Sequence, residues 1–392
     1  MHQAEDAASD RVFAGRNDEQ RTGNVADAHR ERESPGGDQR PPPLRQDDSR
    51  QNRPRPAAIE LGCLLLIVLG YNITRVPNFL TIPNQVNLFQ LGIEKAIVIL
   101  IMTFVIISGE IDLSVASMMG LSAAIVAYLF ESGVPLPVAI LAALAVGLGF
   151  GLINGYFVAV VGLSSLAVTL AGYVGFRGLA RLLVQDRSVG GFPDWFTNLG
   201  QHGFLGPITF SILVFAVGAV IATVVLHFSG FGRLTYVIGN SAQVARFSGV
   251  SVRRTKMTIF AVSGLVAALA GILMTARLGA VRASTAEGFE LDIITVVLLG
   301  GVSIFGGVGS MIGVLLSTYL VLNLRNGLII AGITGNTQTG IIGLLLILSV
   351  LLPNLAGKAR ARLRREAEVG SRKSEVLPAS PPSAMAMGEA AE

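Results

Sequence analysis

Residues 90–115 read QLGIEKAIVILIMTFVIISGEIDLSV. An apolar run fills 90–108, the acids Glu110 and Asp112 close it, and a second apolar run occupies 112–130. Each run approaches the roughly 20 residues an α-helix needs to cross hydrocarbon. Backbone polar groups in lipid are satisfied only inside helices or closed barrels. The strand-length alternation of a barrel is absent here. The stretch therefore reads as two membrane helices joined by a short acidic break.

The same pattern extends in both directions. Apolar segments fall at 57–74, 90–108, 112–130, 136–161, 163–184, 208–228, 257–276, 289–305, 310–330 and 338–353. The 392 residues include 30 Lys and Arg and 26 Asp and Glu, 14% of the chain, against roughly 25% in a soluble domain. Of these charges, 21 lie in 1–56 and 12 in 357–392, which leaves 23 for Ala57–Ala356. Residues 57–356 are thus expected to form an all-α polytopic membrane domain of about ten transmembrane helices. Residues 1–56 carry nearly balanced charge and few large apolar groups, so a disordered hydrophilic N-terminal tail is expected. Residues 357–392 are expected to be a basic, then disordered, C-terminal tail. The single cysteine, Cys63, cannot form an internal disulfide.

Basic residues set the expected orientation. The loop 229–256 holds Arg233, Arg246, Arg253, Arg254 and Lys256 and no acid. Lys358, Arg360, Arg362, Arg364 and Arg365 follow the last segment, and Arg45, Arg50, Arg53 and Arg55 precede the first. The positive-inside rule makes all three regions cytoplasmic. An even number of spans agrees, with both termini inside. Arg177, Arg181 and Arg187 near the outer end of the fifth segment run against the rule. Asp186 and Asp194 partly offset them, and a short or re-entrant fifth segment would remove the conflict.

An internal correspondence is visible. Glu110-Ile111-Asp112-Leu113 is echoed by Glu290-Leu291-Asp292-Ile293, and Asn154-Gly155 by Asn326-Gly327. The offset is five spans. An odd offset turns the second half over, which would give two inverted five-helix repeats. Chance recurrence of such pairs at helix ends is the other reading.

The sequence contains no G-x-x-x-x-G-K-[ST] and no H-E-x-x-H, and its four histidines are scattered. Neither a phosphate cradle nor a metal site is readable. The loop Gly239–Gly249 is more informative. Asn240 or Ser241 suits a helix N-cap and Gly249 a C-terminal stop. Between them Val244 and Phe247 share a face. Such a helix either docks a soluble partner or packs on its own bundle.

Several stretches together carry a resemblance. Ile107-Ser108-Gly109-Glu110-Ile111-Asp112-Leu113-Ser114-Val115 resembles the S-G-G-I-D-L-S-V-G signature of permease subunits of bacterial ABC sugar importers. These are of the ribose, xylose, arabinose and rhamnose type, in a class shared with branched-chain amino acid permeases. Gly239-Asn240 with Ala245-Arg246-Phe247-Ser248-Gly249-Val250 is similar to that family's cytoplasmic loop. Ser263–Gly271, Gly288–Asp292, Leu299–Ser303 and Gly306–Ser310 resemble further family stretches. Two features depart from the family: Glu110 stands where a second glycine is usual, and the N-terminal tail is long.

The resemblance implies a bacterial inner-membrane subunit that does not itself hydrolyse ATP. It would need no cofactor in this chain, since ATP and Mg belong to a cytoplasmic ATP-binding subunit. A periplasmic sugar-binding protein would deliver a neutral monosaccharide, and a second permease subunit, identical or not, would complete the pathway. Lipid surrounds it, and no nucleic-acid partner is expected. Asn240, Val244, Ala245, Arg246, Phe247 and Gly249 would couple to the ATPase.

The acids Glu110, Asp112, Glu290 and Asp292 open helices, where carboxylates meet free N–H groups. They could instead carry protons. Asn154, Thr169, Ser303, Asn323 and Asn326 are candidates to line a neutral path, or else to form interhelical hydrogen bonds. A proton-coupled secondary transporter is the rival reading. An ABC permease for branched-chain amino acids or nucleosides is the runner-up within the class.

Overall fold

The computed structural model describes residues 56–347, apart from 76–78, 186, 336, 339, 345 and 346. The expected tails 1–56 and 357–392 lie outside the described residues except for Pro56, as does most of the expected segment 338–353.

Helices lie over every expected segment up to residue 330. They are α1 (Pro56–Arg75), α2 (Ile82–Gln90), α3 (Ile93–Ile107), α4 (Val115–Glu131), α5 (Leu136–Tyr156) and α6 (Ser165–Val184). There follow α7 (Asp194–Gln201), α8 (Phe210–Phe228), α9 (Gly230–Asn240), α10 (Ala242–Phe247), α11 (Val252–Leu278), α12 (Phe289–Leu299) and α13 (Met311–Ile330). A π-helical turn over Phe157–Val161 extends α5. Two short antiparallel ladders, Val189–Gly190 with Ala280–Val281 and Gly203–Leu205 with Ile208–Thr209, qualify the all-helical expectation.

Among the described residues, five helices are long and apolar enough to cross a membrane: 136–161, 165–184, 210–228, 252–278 and 311–330. A sixth is gained if α2 and α3, bent by 60°, count as one span. The expected span 289–305 is a half-helix. Its helix stops at Leu299, where Gly300 and Gly301 let the backbone turn. The fifth segment is neither short nor broken: α6 runs unbroken for 20 residues. Two of the three basic residues near its end are matched from other elements. Arg177 pairs with Glu287 at 3.0 Å, and Arg187 with Glu131 at 3.0 Å.

Burial follows a membrane logic. Helix α3 is buried along its whole length except for Lys95, which is half-buried. Helix α8 is as apolar, yet only 11% of its spanning window is buried inside the chain. Val217, Val220 and Ile221 point outward. In water so large an apolar surface would be a liability. In a bilayer it costs nothing.

Glycine sets how closely α5 and α11 approach. A Cβ at Gly151 would fall 2.5 Å from the Phe260 carbonyl oxygen and 3.1 Å from Ala261 Cα. One at Gly147 would meet Ala268 and the Gly264 carbonyl. Gly149, on another face, meets nothing within 4 Å. Small residues four apart thus let two membrane helices touch backbone to backbone. Gly151→Val is expected to destabilise the bundle by about 1–3 kcal/mol through overpacking, whereas Gly149→Val leaves it unchanged. Thermal unfolding of both variants in detergent checks this. Equal melting temperatures would contradict the packing.

Candidate functional site

Helix α10 is delimited by local chemistry. Ser241 is the N-cap, its Oγ accepting from the Val244 N–H at 3.2 Å. The Asn240 side chain instead donates back to the Tyr236 carbonyl at 3.1 Å. At the C-terminal end the Val250 N–H donates to the Ala245 carbonyl at 3.0 Å, and the Gly249 N–H to the Arg246 carbonyl at 3.1 Å. This paired arrangement requires a left-handed residue, and Gly249 supplies φ of +79°.

The helix divides its two faces. Ala245 is fully buried against Ile238 of α9 and Val252 of α11. Val244 is 60% exposed and Phe247 84% exposed. Arg233, Arg246, Arg253 and Arg254 around them are exposed and form no ion pair among the described residues. The element is anchored on its own bundle and also presents an apolar pair ringed by cations.

Immediately before α10, three chain segments meet backbone to backbone. The Gly307 N–H donates to the Ile107 carbonyl at 2.9 Å. A Cβ at Gly239 would occupy the space of that carbonyl and of the Gly307 nitrogen. A Cβ at Gly306 would come within 2.8 Å of Gly109 Cα. Two side chains brace the junction. The Tyr236 hydroxyl donates to the Gly309 carbonyl at 2.8 Å, and the Met311 N–H donates to His227 Nε2 at 3.2 Å. Burial pushes the Tyr236 phenol above its usual value, so it remains a donor. Ser303 closes the intervening turn: its N–H donates to Val308 at 2.9 Å, and its Oγ accepts from the Phe305 N–H at 3.2 Å.

The first acid pair grips the break between α3 and α4. Asp112 is 3% exposed and accepts from the Ser114 N–H at 3.0 Å, the Ser114 hydroxyl at 2.6 Å and the Ser263 hydroxyl at 2.8 Å. It closes the turn before α4 and holds α11 to it. Asn154 donates to the Ser114 hydroxyl at 3.1 Å, and Thr169 to the Ile111 carbonyl at 3.2 Å. Glu110 forms an ion pair with Lys256 at the start of α11.

The second pair sits at the other end of α3. Asp292 receives Lys95 at 2.9 Å and Arg325 at 2.6 Å, tying α12 to α3 and α13. Lys95 also lies 4.2 Å over the Phe289 ring. Glu290 lies 3.8 Å from Arg177. Nearby, Arg277 forks onto Glu94 at 2.6 and 3.2 Å.

Asn323 and Asn326 join α13 to its neighbours. The Asn323 carbonyl accepts from Asn72 at 2.9 Å, and Asn326 donates to Asn84 at 3.3 Å. Asn323 Oδ1 is buried with no partner among the described residues. The 410 Å³ cleft between α3, α8 and α11 is lined by apolar groups such as Ile101, Val225 and Val262, and touches none of these amides.

Sequence reasoning missed the acids' partners. Ser114, two residues after Asp112, was open to it as a local turn. Ser263, Lys256, Lys95 and Arg325 carried no local signal.

Residues 86–350 match the family described as branched-chain amino acid transport system / permease component. The autoinducer 2 import system permease protein LsrD of Salmonella paratyphi A is 37% identical over 302 residues, 75% of this chain and 90% of that protein. The ribose import permease protein RbsC of Bacillus subtilis is 35% identical over 294 residues, 74% of this chain and 90% of its own. The ribose import permease protein RbsC of Escherichia coli is 33% identical over 293 residues, 74% of this chain and 91% of its own. No solved structure is a significant match.

Gly239→Ala is expected to pry the junction apart at a cost of about 1–3 kcal/mol. Gly230→Ala, in the same helix, meets only the flexible Arg233 side chain at 3.9 Å and is expected to be neutral. Melting temperatures of the purified variants check the pair. An unchanged Gly239→Ala would refute the close approach.

Proposed function

We propose, because this chain belongs to the permease-component family of branched-chain amino acid transport systems, that it is the membrane-spanning subunit of an ATP-driven importer of a small neutral sugar. The observation that carries the reading is α10, anchored through Ala245 and presenting Val244 and Phe247 outward. The sequence lacks a P-loop, so energy arrives from a separate ATP-binding subunit that receives this face. Asn240, Arg246 and Gly249 shape and flank the contact.

The remaining parts follow from that assignment. The α10 end is cytoplasmic, in keeping with its cluster of arginines, and both termini lie on that side of the inner membrane. A sugar-binding protein delivers solute at the opposite end, and two permease subunits together form the path. The ribose and autoinducer 2 systems named for the relatives support a small polar solute. Asn323 keeps a spare acceptor but is fully buried within the chain, so a solute hydroxyl would reach it only where the helices around α13 part.

About ten spans in two inverted repeats remain the favoured architecture. The two acid pairs support it, because they lie at opposite ends of α3.

The test is uptake of labelled ribose, autoinducer 2 and leucine by cells carrying the permease with its ATPase and binding protein. Sugar uptake is expected to require the ATPase and to fall about tenfold in Phe247→Ser. Uptake without the ATPase would overturn the assignment, and uptake of leucine alone would move the solute class.

Asp112→Asn separates this reading from proton coupling. Asparagine keeps an acceptor for Ser114, and the Ser263 hydroxyl can turn to accept. Transport is therefore expected to stay within about threefold. Asp112→Ala orphans buried donors at about 1–3 kcal/mol each and is expected to lower the folded yield. Loss of transport in a well-folded Asp112→Asn would favour the proton-coupled rival.

A further inference from the structure

Phe305 is the most exposed large apolar side chain among the described residues, at 88%, and Ile304 beside it is 48% exposed. Neither belongs to a helix. They sit in the turn between α12 and α13, and the turn is rigid. The Ser303 N–H donates to Val308, the Gly306 N–H to Ser303 at 3.0 Å, and the Phe305 N–H to the Ser303 hydroxyl. A tight, internally bonded turn that holds an aromatic ring in the open has the form of an anchor.

The turn is also fastened to α9 and α10. Gly307 lies against Asn240, two residues before the start of α10, and the Gly307 N–H bonds Ile107. The Tyr236 hydroxyl holds Gly309 from α9. The Phe305 carbonyl lies within 4 Å of where a Gly109 Cβ would stand, next to Gly239. These contacts, from backbone and from the Tyr236 and Asn240 side chains, tie the turn to α9 and to the start of α10.

We propose that Phe305 and Ile304 form a second docking element for the same cytoplasmic ATP-binding subunit that receives α10. The two elements would act as one rigid surface. This rests on the permease reading above. Two observations favour a soluble partner over a second membrane-embedded copy. The turn lies where α3 and α12 end and α13 begins, not along a helix flank. The exposed cations Arg233, Arg246, Arg253 and Arg254 on the adjoining α9–α11 loop suit an acidic groove. With two apolar anchors on one rigid base, binding orders little that is not already ordered.

The test uses the full chain co-expressed with its ATP-binding subunit. Phe305→Ser, Phe305→Leu and Phe247→Ser are compared for co-purified ATPase at matched membrane abundance. Phe305→Ser is expected to lower co-purified ATPase about tenfold, while Phe305→Leu, which keeps an apolar anchor, retains most of it. In a Cys63→Ser background, Phe305→Cys labelled with a maleimide photo-cross-linker, which inserts into C–H bonds of whatever lies beside it, is expected to cross-link to the ATPase. Full ATPase retention in Phe305→Ser overturns the inference, as does cross-linking to a second permease copy or to lipid instead. If Phe247→Ser loses the ATPase and Phe305→Ser does not, only this inference fails. If neither loses it, the docking role of α10 fails as well.

Discussion

The contact on which the rest depends is the meeting of Ile107–Gly109, Gly239–Asn240 and Gly306–Gly307. Three segments far apart in the chain meet there, largely backbone to backbone, with the Asn240 side chain laid against Gly307. A Cβ on Gly239, Gly306 or Gly307 would push the segments apart. With that contact made, α3, the α9–α10 element and the α12–α13 turn form one mechanical unit. Of these, α3 is buried along nearly its whole length.

Charge serves the same end. A lone charge in a low-dielectric interior is costly, and a buried pair scarcely repays its own desolvation. What such pairs provide is register. Glu110 with Lys256 fixes the start of α11 beside the α3–α4 break. Asp292 with Lys95 and Arg325 fixes α12 against α3 and α13 at the far end. The half-helix α12 packs Ile293, Val296, Val297 and Leu299 into the core. Its acid keeps it in line, with cations arriving from two neighbours. Glu110, Asp112 and Asp292 thus answer to fixed partners, whereas Glu290 Oε2 has no hydrogen-bond partner among the described residues.

The polar residues inside the bundle divide similarly. Asn154, Thr169 and Ser303 are engaged in holding breaks and turns. Asn323 is engaged on one side and spare on the other. The apolar cleft beside α8 suits hydrocarbon, not a hydroxylated solute.

The linear sequence alone determined where most of the long apolar helices are, because an apolar run in lipid satisfies its backbone in a helix when no barrel alternation is present. It also outlined α10, with Asn240 or Ser241 to cap it, Gly249 to stop it and Val244 and Phe247 on one face, all within a few residues of one another; the structure assigned the cap to Ser241. The α12 break was written in Gly300-Gly301, though an apolar run to residue 305 concealed it. What only the tertiary structure decided is who meets whom. Lys256 reaches Glu110 across 146 residues and Lys95 reaches Asp292 across 197, separations at which sequence carries no local signal. The glycines were visible as glycines, but their purpose was not. The need for a missing Cβ arises only when another backbone is already in its place.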